Sequence, residues 1–511
     1  MWVLCTRYYA QGVNVSHIFV ALLTTLIAYI VIVYMVGLIA NRVTSNLSDY
    51  VLGGRRLSGP IAALGAGASD MSGWLLLALP GAAYTFGINQ LWLPIGLSIG
   101  AYLNWQYVAK RLRVYTEIVK DSLTIPAYFD NRFHDHTRIL RAATALVIVI
   151  FFTVYCSAGF YSAALLLNIL FGLNYHIALL ISAIVLVVYT CIGGFLAISW
   201  VDFFQGSLMF FALITVPMVT FHHLNGWHHV MHHLLLHMPS HMKAFTNISL
   251  ITMISLLAWG LGYFGQPHIL VRFMAVRTSK EIPVARFICM TWMVIALCGA
   301  VMTGIAGSAF YGQGLAQPDS VFLELAKSLF NPWLYAILVS AVLSAIMSTS
   351  AAQLLAASSA VSEDIFHGLL RKTHVSEKLL VLVGRIAVIC IAFVAASMVL
   401  SKHNNLLWLV GFAWSGMGAS FGPVIILSLY WKRMTKEGAI AGMLLAAITV
   451  IVWHNLGVHV GGIFKLYEMV PGFLVGLLGC VLGTLCFKGR PTQRMLSEFE
   501  QAKRADQLSL M

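Results

Sequence analysis

The feature that most constrains this chain is its succession of long apolar runs, most of them about 20 residues or longer. The first covers residues 17–41, and similar runs follow one another as far as residue 487. A helix of about 20 apolar residues can cross the roughly 30 Å hydrocarbon core of a bilayer. Because a segment in lipid must satisfy its own backbone hydrogen bonds, the runs predict an all-α polytopic membrane protein.

Thirteen runs can be delimited, and thirteen crossings would place the two termini on opposite sides of the membrane. The predicted spans are residues 17–41, 60–88, 90–109, 139–170, 174–193, 196–221, 247–271, 284–312, 332–361, 379–400, 406–430, 438–457 and 467–487. The composition is 60% hydrophobic and 10% charged, and the polar stretches between spans are too short for a soluble catalytic domain. We therefore expect one transmembrane domain over residues 1–511.

The basic residues are divided unequally between alternate loops. Of the 31 Lys and Arg residues, 26 fall in one set of loops and five in the other. The smaller set contains Arg7, Lys243, Lys327, Lys402 and Lys465. The positive-inside rule then places the N-terminus outside and the C-terminus in the cytoplasm. This distribution also accounts for the net charge of +13 without a nucleic-acid partner.

Asp70 is the carboxylate that lies deepest within an apolar run, in the stretch GASDMSGWLLLALPG at residues 67–81. A carboxylate near the bilayer centre costs about 2.5–3.5 kcal/mol on translocon scales, so it indicates an ion or substrate path. The simpler alternative is a buried carboxylate satisfied by local N–H groups. Gly67, Gly73 and Pro80 are poor helix formers and predict an interrupted helix. The carbonyls freed by the interruption need a partner, and a bound cation is one.

A second interrupted run is AWGLGYFGQPHI at residues 258–269, in the seventh span. Trp259 and Tyr263 are four residues apart and share a face of an intact helix, where they can pack or contact a ligand. The interrupted spans are the second and the seventh, five apart, which predicts two inverted repeats at residues 60–222 and 247–431. Interrupted spans at matching positions of two halves indicate a transporter binding site.

The ninth span contains Ser344, Ser348 and Thr349 in the stretch LSAIMSTSAAQLLAASSAVSED at residues 343–364. Hydroxyl groups in transmembrane helices often bond only their own backbone or assist packing. The alternative is that they supply oxygen ligands to a small cation, together with the carbonyls freed near Asp70. The sequence contains no phosphate-binding loop, nucleophile elbow or Cys/His zinc pattern, so an enzyme is not expected.

Six stretches resemble the sodium:solute symporter family over essentially the whole chain. They are YVLGGRRLSGP at 50–60, GAGASDMSGWLLLALPGA at 67–82, GGFLAISWVDFFQG at 193–206, AWGLGYFGQPHILVRFMA at 258–275, LSAIMSTSAAQLLAASSAVSEDIF at 343–366 and SFGPVIILSLYW at 420–431. The resemblance implies a LeuT-like fold of five plus five inverted helices. One extra helix would precede the repeats, within residues 1–59, and two would follow, within residues 432–511.

The resemblance also implies a function and a set of site residues. The function is sodium-coupled import of L-proline by alternating access in the bacterial cytoplasmic (inner) membrane. The protein would act as a monomer in lipid, with no cofactor other than the coupling ion. Sodium would bind backbone oxygens of Ala68, Met71 and Ala345 and the hydroxyls of Ser348 and Thr349. Coupling would involve Asp70, Asp202 and Arg55. Proline contacts would fall on Ser72, Gly73, Trp74, Tyr155, Trp259, Tyr263 and Pro267.

Two rival functions remain open at this point. The same transporter architecture can carry another small solute, such as pantothenate, a sugar or a short carboxylate. A membrane sensor can also use a transporter core to report on a solute, although such proteins usually carry an appended signalling domain.

Histidines are concentrated in the outer loop after the sixth span. His228 and His232, and likewise His229 and His233, are four residues apart, a spacing that on a helix can chelate Zn²⁺. The same imidazoles can instead respond to pH, or the loop can simply lie at the membrane interface without a ligand.

Overall fold

The computed structural model describes residues 15–43, 47–245, 248–369, 376–401, 405–487 and 489–508, so Arg7 and Lys402 lie outside the described residues. These residues form no β-strand, and one parallel bridge joins Leu57 to Val276. The all-α class is therefore confirmed.

The α-helices are as follows, in chain order: α1 Val15–Val43, α2 Leu47–Leu52, α3 Gly59–Asp70, α4 Leu79–Phe86, α5 Trp92–Leu103, α6 Lys110–Ile118, α7 Ile125–Arg132, α8 Ile139–Phe171, α9 Tyr175–His223, α10 Trp227–His237, α11 Leu250–Ala258, α12 Pro267–Ala275, α13 Ile282–Tyr311, α14 Val321–Leu329, α15 Pro332–Ser359, α16 Glu377–Met398, α17 Leu406–Tyr430, α18 Lys436–His459, α19 Met469–Cys486 and α20 Gln493–Leu508. Shorter π-helical segments cover Trp74–Ala78, Asn104–Ala109 and Ala360–Leu369. Segments of 3₁₀-helix cover Gly53–Arg55, Gly87–Leu91, Pro239–Met242, Trp259–Gly265, Ser279–Glu281, Pro318–Ser320 and Gly462–Lys465.

Nine helices of the described residues are long and apolar enough to cross a membrane. They correspond to nine of the predicted spans. The other four predicted spans, 60–88, 90–109, 174–193 and 247–271, correspond to helices that are shorter, bent or divided. The site therefore has to be sought where the helices are irregular.

The fifth and sixth predicted spans lie within the 49 residues of α9, which non-helical backbone geometry at Gly194 divides into two helices. A straight helix of that length would extend about 74 Å, more than twice the hydrocarbon thickness, so the chain has to change direction. Gly194 makes this possible because its φ of 62° and ψ of 179° are accessible to glycine. A Cβ there would also meet Tyr50 Cδ2 at 2.9 Å.

The helices form an enclosed centre and a lipid-facing periphery. In the apolar stretches of α15 and α17, 89% of the residues are buried, against 28% in α1. Helix α15 packs against α1, α3, α8 and α9, and α17 packs against the 3₁₀ segment Trp259–Gly265. The N-terminus of α15 is capped by Asn331, whose Oδ1 accepts a hydrogen bond from Leu334 N at 2.9 Å. Pro332 follows as the first helical residue, a position that proline favours. The two interrupted spans are thus held against the most buried helices.

Close approach of backbones fixes the seventh span. A Cβ on Gly260 would meet Gly96 O at 2.0 Å, and a Cβ on Gly100 would meet Gly260 O at 2.0 Å. These two contacts place the 3₁₀ segment directly on α5, which only glycine permits.

We expect Gly260→Ala to destabilise the protein, by about 1–3 kcal/mol, because backbone atoms cannot move aside for the added methyl group. Thermal unfolding of the detergent-solubilised protein measures this as a lower midpoint. The matched control is Gly384→Ala on α16, where the nearest atom, Ser362 Oγ, is 3.5 Å away. An unchanged midpoint for Gly260→Ala would contradict the close approach.

Candidate functional site

The second span is broken at residues 71–73. Helix α3 ends at Asp70, Met71 leaves the helical region with φ −83° and ψ 80°, and the following helical segments are bent by 65° from α3. The chain re-forms a turn when Leu75 N donates to Ser72 O at 3.0 Å. A Cβ on Gly73 would meet Ile346 Cγ1 at 2.9 Å, so glycine lets the break sit against α15. The predicted interruption is confirmed.

Asp70 is buried at this break, with 2% of its surface exposed. Its carboxylate accepts a hydrogen bond from the hydroxyl of Tyr263. Tyr263 Oη also lies 3.8 Å from Met293 Sδ. The structure thus joins the carboxylate predicted for sodium coupling to a tyrosine predicted for substrate binding.

The seventh span is also interrupted. Its 3₁₀ segment Trp259–Gly265 is followed by Gln266, which has extended geometry, and then by α12. Trp414 Nε1 donates to Trp259 O at 2.8 Å, and Gln266 Nε2 donates to Trp414 O at 3.0 Å. Asn104 Nδ2 donates to Tyr263 O at 2.9 Å. Side chains therefore satisfy the carbonyls that the break frees, as lipid-buried irregular backbone requires.

Aromatic rings from both breaks meet. The Trp74 and Trp259 ring centroids are 6.3 Å apart, and Trp259 stacks on Tyr467 at 5.4 Å. Tyr155 is buried with a centroid distance of 6.3 Å to His268, next to Pro267, and its hydroxyl has no hydrogen-bond partner within the described residues. Sequence reasoning missed Tyr467 and Trp414, since each lies in an ordinary apolar run with no interruption nearby.

The predicted sodium ligands lie between α3 and α15. Thr349 Oγ1 donates to Ala68 O at 3.3 Å, so the two predicted ligands from different spans meet. Met71 and Ala345 are fully buried. Ser348 is oriented differently, because its hydroxyl donates to Asp202 Oδ1 at 2.5 Å.

Asp202 forms a buried ion pair with Arg272. Arg272 Nη2 lies 2.5 Å from Asp202 Oδ2, and 1% or less of either side chain is exposed. Arg272 also donates to Ser199 and lies over the Phe195 ring at 4.6 Å. Arg272 is one of the 26 basic residues assigned above to loops, and for this residue that assignment is wrong, because it belongs to α12. Helix α12 continues to Ala275, beyond the predicted end of the span at residue 271, and this places Arg272 within the bundle.

Arg55 lies outside this centre, in the 3₁₀ segment before α3. Its guanidinium donates to Asp121 Oδ1 at 2.7 Å, to Met274 O at 2.7 Å and to Ser122 O at 3.1 Å. Burial lowers the pKa of Arg55, and the neighbouring charge of Arg113 lowers it further. Arg55 therefore links the segment before the second span to the end of α12.

The histidines lie on α10, so the i,i+4 spacing on a helix is confirmed, and the His233 and His237 rings are 4.5 Å apart. No three His, Cys, Asp or Glu side chains of the described residues are grouped to hold a metal ion. The alternative of a zinc site at His228, His229, His232 and His233 therefore finds no group of three ligands among the described residues. Two imidazoles from one helix without a third ligand do not complete a structural zinc site.

The comparisons with known proteins agree with this geometry. The model of the sodium:solute symporter family matches residues 50–446. The high-affinity proline transporter PutP of Bacillus subtilis is 48% identical over 468 residues, 91% of this chain and 98% of that protein. The sodium/proline symporter of Escherichia coli is 46% identical over 488 residues, 94% of this chain and 96% of that protein.

A solved structure shares the fold at much lower identity. A Na⁺-coupled sialic acid symporter in a substrate-bound outward-open state has a TM-score of 0.77 and 17% identity, and the match covers 93% of this chain and 99% of that chain. At this identity the likeness shows the fold alone.

We expect Asp202→Asn to lower the thermal unfolding midpoint strongly, because it leaves the Arg272 charge buried without a partner, at a cost of about 3–5 kcal/mol. The double variant Asp202→Asn with Arg272→Met removes that charge and should recover much of the midpoint. Differential scanning of the purified protein in detergent measures both. A double variant no more stable than the single one would contradict the ion pair. The control is Asp121→Asn, whose carboxylate is 63% exposed and contributes little.

Proposed function

This chain belongs to the sodium:solute symporter family, and we propose that it imports L-proline across the membrane together with sodium. The observation that carries the proposal is the contact between Asp70 and Tyr263, which connects the two interrupted spans. Two relatives that match over more than nine tenths of this chain are described as proline transporters, which supports proline as the substrate.

The finer topology is part of the proposal. We place thirteen crossings, with inverted repeats at residues 60–222 and 247–431, one helix before them and two after. The nine long helices and the kink at Gly194 support this count. The excess of basic residues in one set of loops, which remains after Arg272 is left out, supports a periplasmic N-terminus and a cytoplasmic C-terminus in a bacterial inner membrane. We further propose a monomer surrounded by lipid, with no cofactor besides the coupling ion.

Sodium would bind between α3 and α15, on the backbone oxygens of Ala68, Met71 and Ala345 and the hydroxyls of Ser348 and Thr349. A small hard cation prefers oxygen ligands, and these five supply them. The Ser348 hydroxyl donates a hydrogen bond to Asp202, so the lone pairs of Ser348 Oγ remain free for the ion. Asp202 would thus act as a positioning residue for Ser348, and Arg272 would hold Asp202 in place.

Proline would bind where the aromatic rings of the two breaks meet. Trp74, Trp259 and Tyr263 offer flat apolar faces for the ring, and such faces tolerate the secondary ammonium. The carboxylate would face the backbone at Ser72, Gly73 and Trp74, where a new helical segment starts and its dipole favours an anion. It would there replace the hydrogen bonds that Ser72 N donates to Asp70 O at 3.0 Å and Trp74 N donates to Ser72 Oγ at 3.5 Å. Tyr155 and Pro267 would close the opposite side, and the unpartnered Tyr155 hydroxyl supports this.

Coupling follows because sodium and proline would both contact the break in the second span. A sodium ion on Ala68 and Met71 would hold the backbone on both sides of Asp70, and Asp70 in turn holds Tyr263. Sodium would thereby preorder the proline site, and linkage requires proline to tighten sodium binding by the same factor. One positive charge moving inward across 100 mV releases about 2.3 kcal/mol to drive import.

The test is uptake of radiolabelled proline by proteoliposomes with and without an inward sodium gradient. We expect wild-type uptake to require sodium and Asp70→Asn to abolish it. Tyr263→Phe should raise the sodium and proline concentrations needed for half-maximal uptake together, because it removes only the connecting hydroxyl.

The matched control is Tyr335→Phe, another buried tyrosine that lies about three and a half turns before Ser348 on α15. Its uptake should equal that of the wild type. Undiminished sodium-dependent uptake by a folded Asp70→Asn protein would refute this mechanism. Competition by pantothenate, sugars or short carboxylates stronger than by unlabelled proline would instead refute the substrate.

A further inference from the structure

Helix α1 precedes the proposed repeats, and most of its surface faces outward, since only 28% of its apolar stretch is buried. Among the α1 side chains that the structure describes, Tyr29 is the one buried side chain with a polar group, and 4% of its surface is exposed. A phenylalanine would fill the same space without a hydroxyl to satisfy, and burying an unbonded hydroxyl costs free energy. The partners of the Tyr29 hydroxyl therefore indicate its role.

The Tyr29 hydroxyl contacts two different helices. Gln205 Nε2 on α9 donates to Tyr29 Oη at 2.5 Å. Ser344 on α15 lies beside the same hydroxyl. Gln205 and Ser344 are fully buried, and within the described part of the chain Gln205 Oε1 and Ser344 Oγ have no other partner. Tyr29 thus bridges α9 and α15, and its hydroxyl is what holds the Gln205 amide.

The same two helices carry the contact between Asp202 and Ser348. Gln205 follows Asp202 by three residues on α9, and Ser344 precedes Ser348 by four residues on α15. The Tyr29 bridge therefore lies about one helical turn, roughly 5 Å, from the hydrogen bond that Ser348 donates to Asp202. Two contacts one turn apart fix both the separation and the relative tilt of two helices, whereas one contact leaves the tilt free.

We propose that Tyr29 is a positioning residue of the sodium site. From the helix that precedes the repeats, it holds Gln205 and Ser344 and so fixes α9 against α15 at the spacing that orients the Ser348 hydroxyl. The inference rests on the proposed function, since it assumes that Ser348 and Thr349 on α15 are sodium ligands. It gives α1 a part in ion binding, although α1 contributes no ligand of its own.

A positioning residue of this kind has a characteristic effect on binding. Loss of the bridge lets Ser348 move relative to the other sodium ligands, so sodium binds more weakly. Proline binding then falls only while sodium is limiting, because saturating sodium restores the ordered site by mass action. A residue that merely holds the fold together would lower proline affinity at every sodium concentration.

The experiment is equilibrium binding of tritiated proline to the purified full-length protein over a range of sodium concentrations. Tyr29→Phe keeps the ring and removes the hydroxyl. We expect the sodium concentration for half-maximal proline binding to rise by about threefold to tenfold, the effect of one lost hydrogen bond. The proline dissociation constant at saturating sodium should equal that of the wild type.

The matched control is Tyr34→Phe on the same helix. The Tyr34 hydroxyl donates to Val185 O at 3.1 Å, so it also joins α1 to α9, but before Gly194 and away from α15. Tyr34→Phe should show the sodium dependence of the wild type. An equal rise in both variants would show that any hydroxyl holding α1 in place has this effect, and would overturn the specific role of Tyr29.

A second variant approaches the bridge from the other side. Gln205→Leu removes the same hydrogen bond and should raise the half-maximal sodium concentration by a similar factor. The double variant Tyr29→Phe with Gln205→Leu should raise it no further than the larger single effect, because both changes break one interaction. Effects that multiply in the double variant would show two independent roles and would overturn the bridge.

The remaining outcomes separate this inference from the proposed function. An unchanged sodium dependence in Tyr29→Phe, or an equal loss of proline affinity at limiting and saturating sodium, would overturn the positioning role while leaving sodium-coupled import in place. If Tyr29→Phe does not fold, the sodium dependence of Gln205→Leu alone decides in the same way. Proline binding by the wild type that does not depend on sodium would overturn the proposed function, and this inference with it.

Discussion

The hydrogen bond from Tyr263 to Asp70 is the interaction on which the site depends, because it connects two helices that are each broken. A carboxylate buried without a partner is costly, and here the partner comes from the opposite interrupted span. Neither break alone would hold the carboxylate. The pairing therefore makes the geometry of one break depend on the other, which is the physical requirement for coupling an ion to a solute.

Irregular backbone inside a membrane has to be satisfied by protein groups, and the chain does this with side chains from distant segments. At the seventh span, the side chains of Trp414 on α17 and Asn104 after α5 donate hydrogen bonds to backbone carbonyls. At the second span, the hydroxyl of Thr349 on α15 does the same. Glycine contacts such as that of Gly260 with Gly96 bring the backbones close enough for these bonds. A bound cation would replace some of these hydrogen bonds, so the site is already arranged around oxygen atoms.

Much of this could be predicted from local sequence. Clustered Gly, Ser and Pro residues mark both breaks, and a lone carboxylate in an apolar run marks Asp70. The sequence could not reveal the partners, because side-chain contacts between Asp202 and Arg272, or between Trp414 and the seventh span, join residues 70 and 155 positions apart. Arg272 was misplaced because hydropathy ends a predicted span at a charged residue, whereas this helix continues to Ala275 and the charge is compensated by the distant Asp202. Gly194 lies between the predicted spans 174–193 and 196–221, and its non-helical geometry divides α9 at that point.

The most direct test of the account is reciprocal equilibrium binding to the purified protein. Proline affinity is measured over a range of sodium concentrations, and sodium affinity is measured with and without saturating proline. Coupling through the shared breaks predicts that sodium tightens proline binding by a factor within about 5–150, and that proline tightens sodium binding by the same factor. Proline affinity that does not change with sodium would show that the two interrupted spans act independently, and would contradict the account.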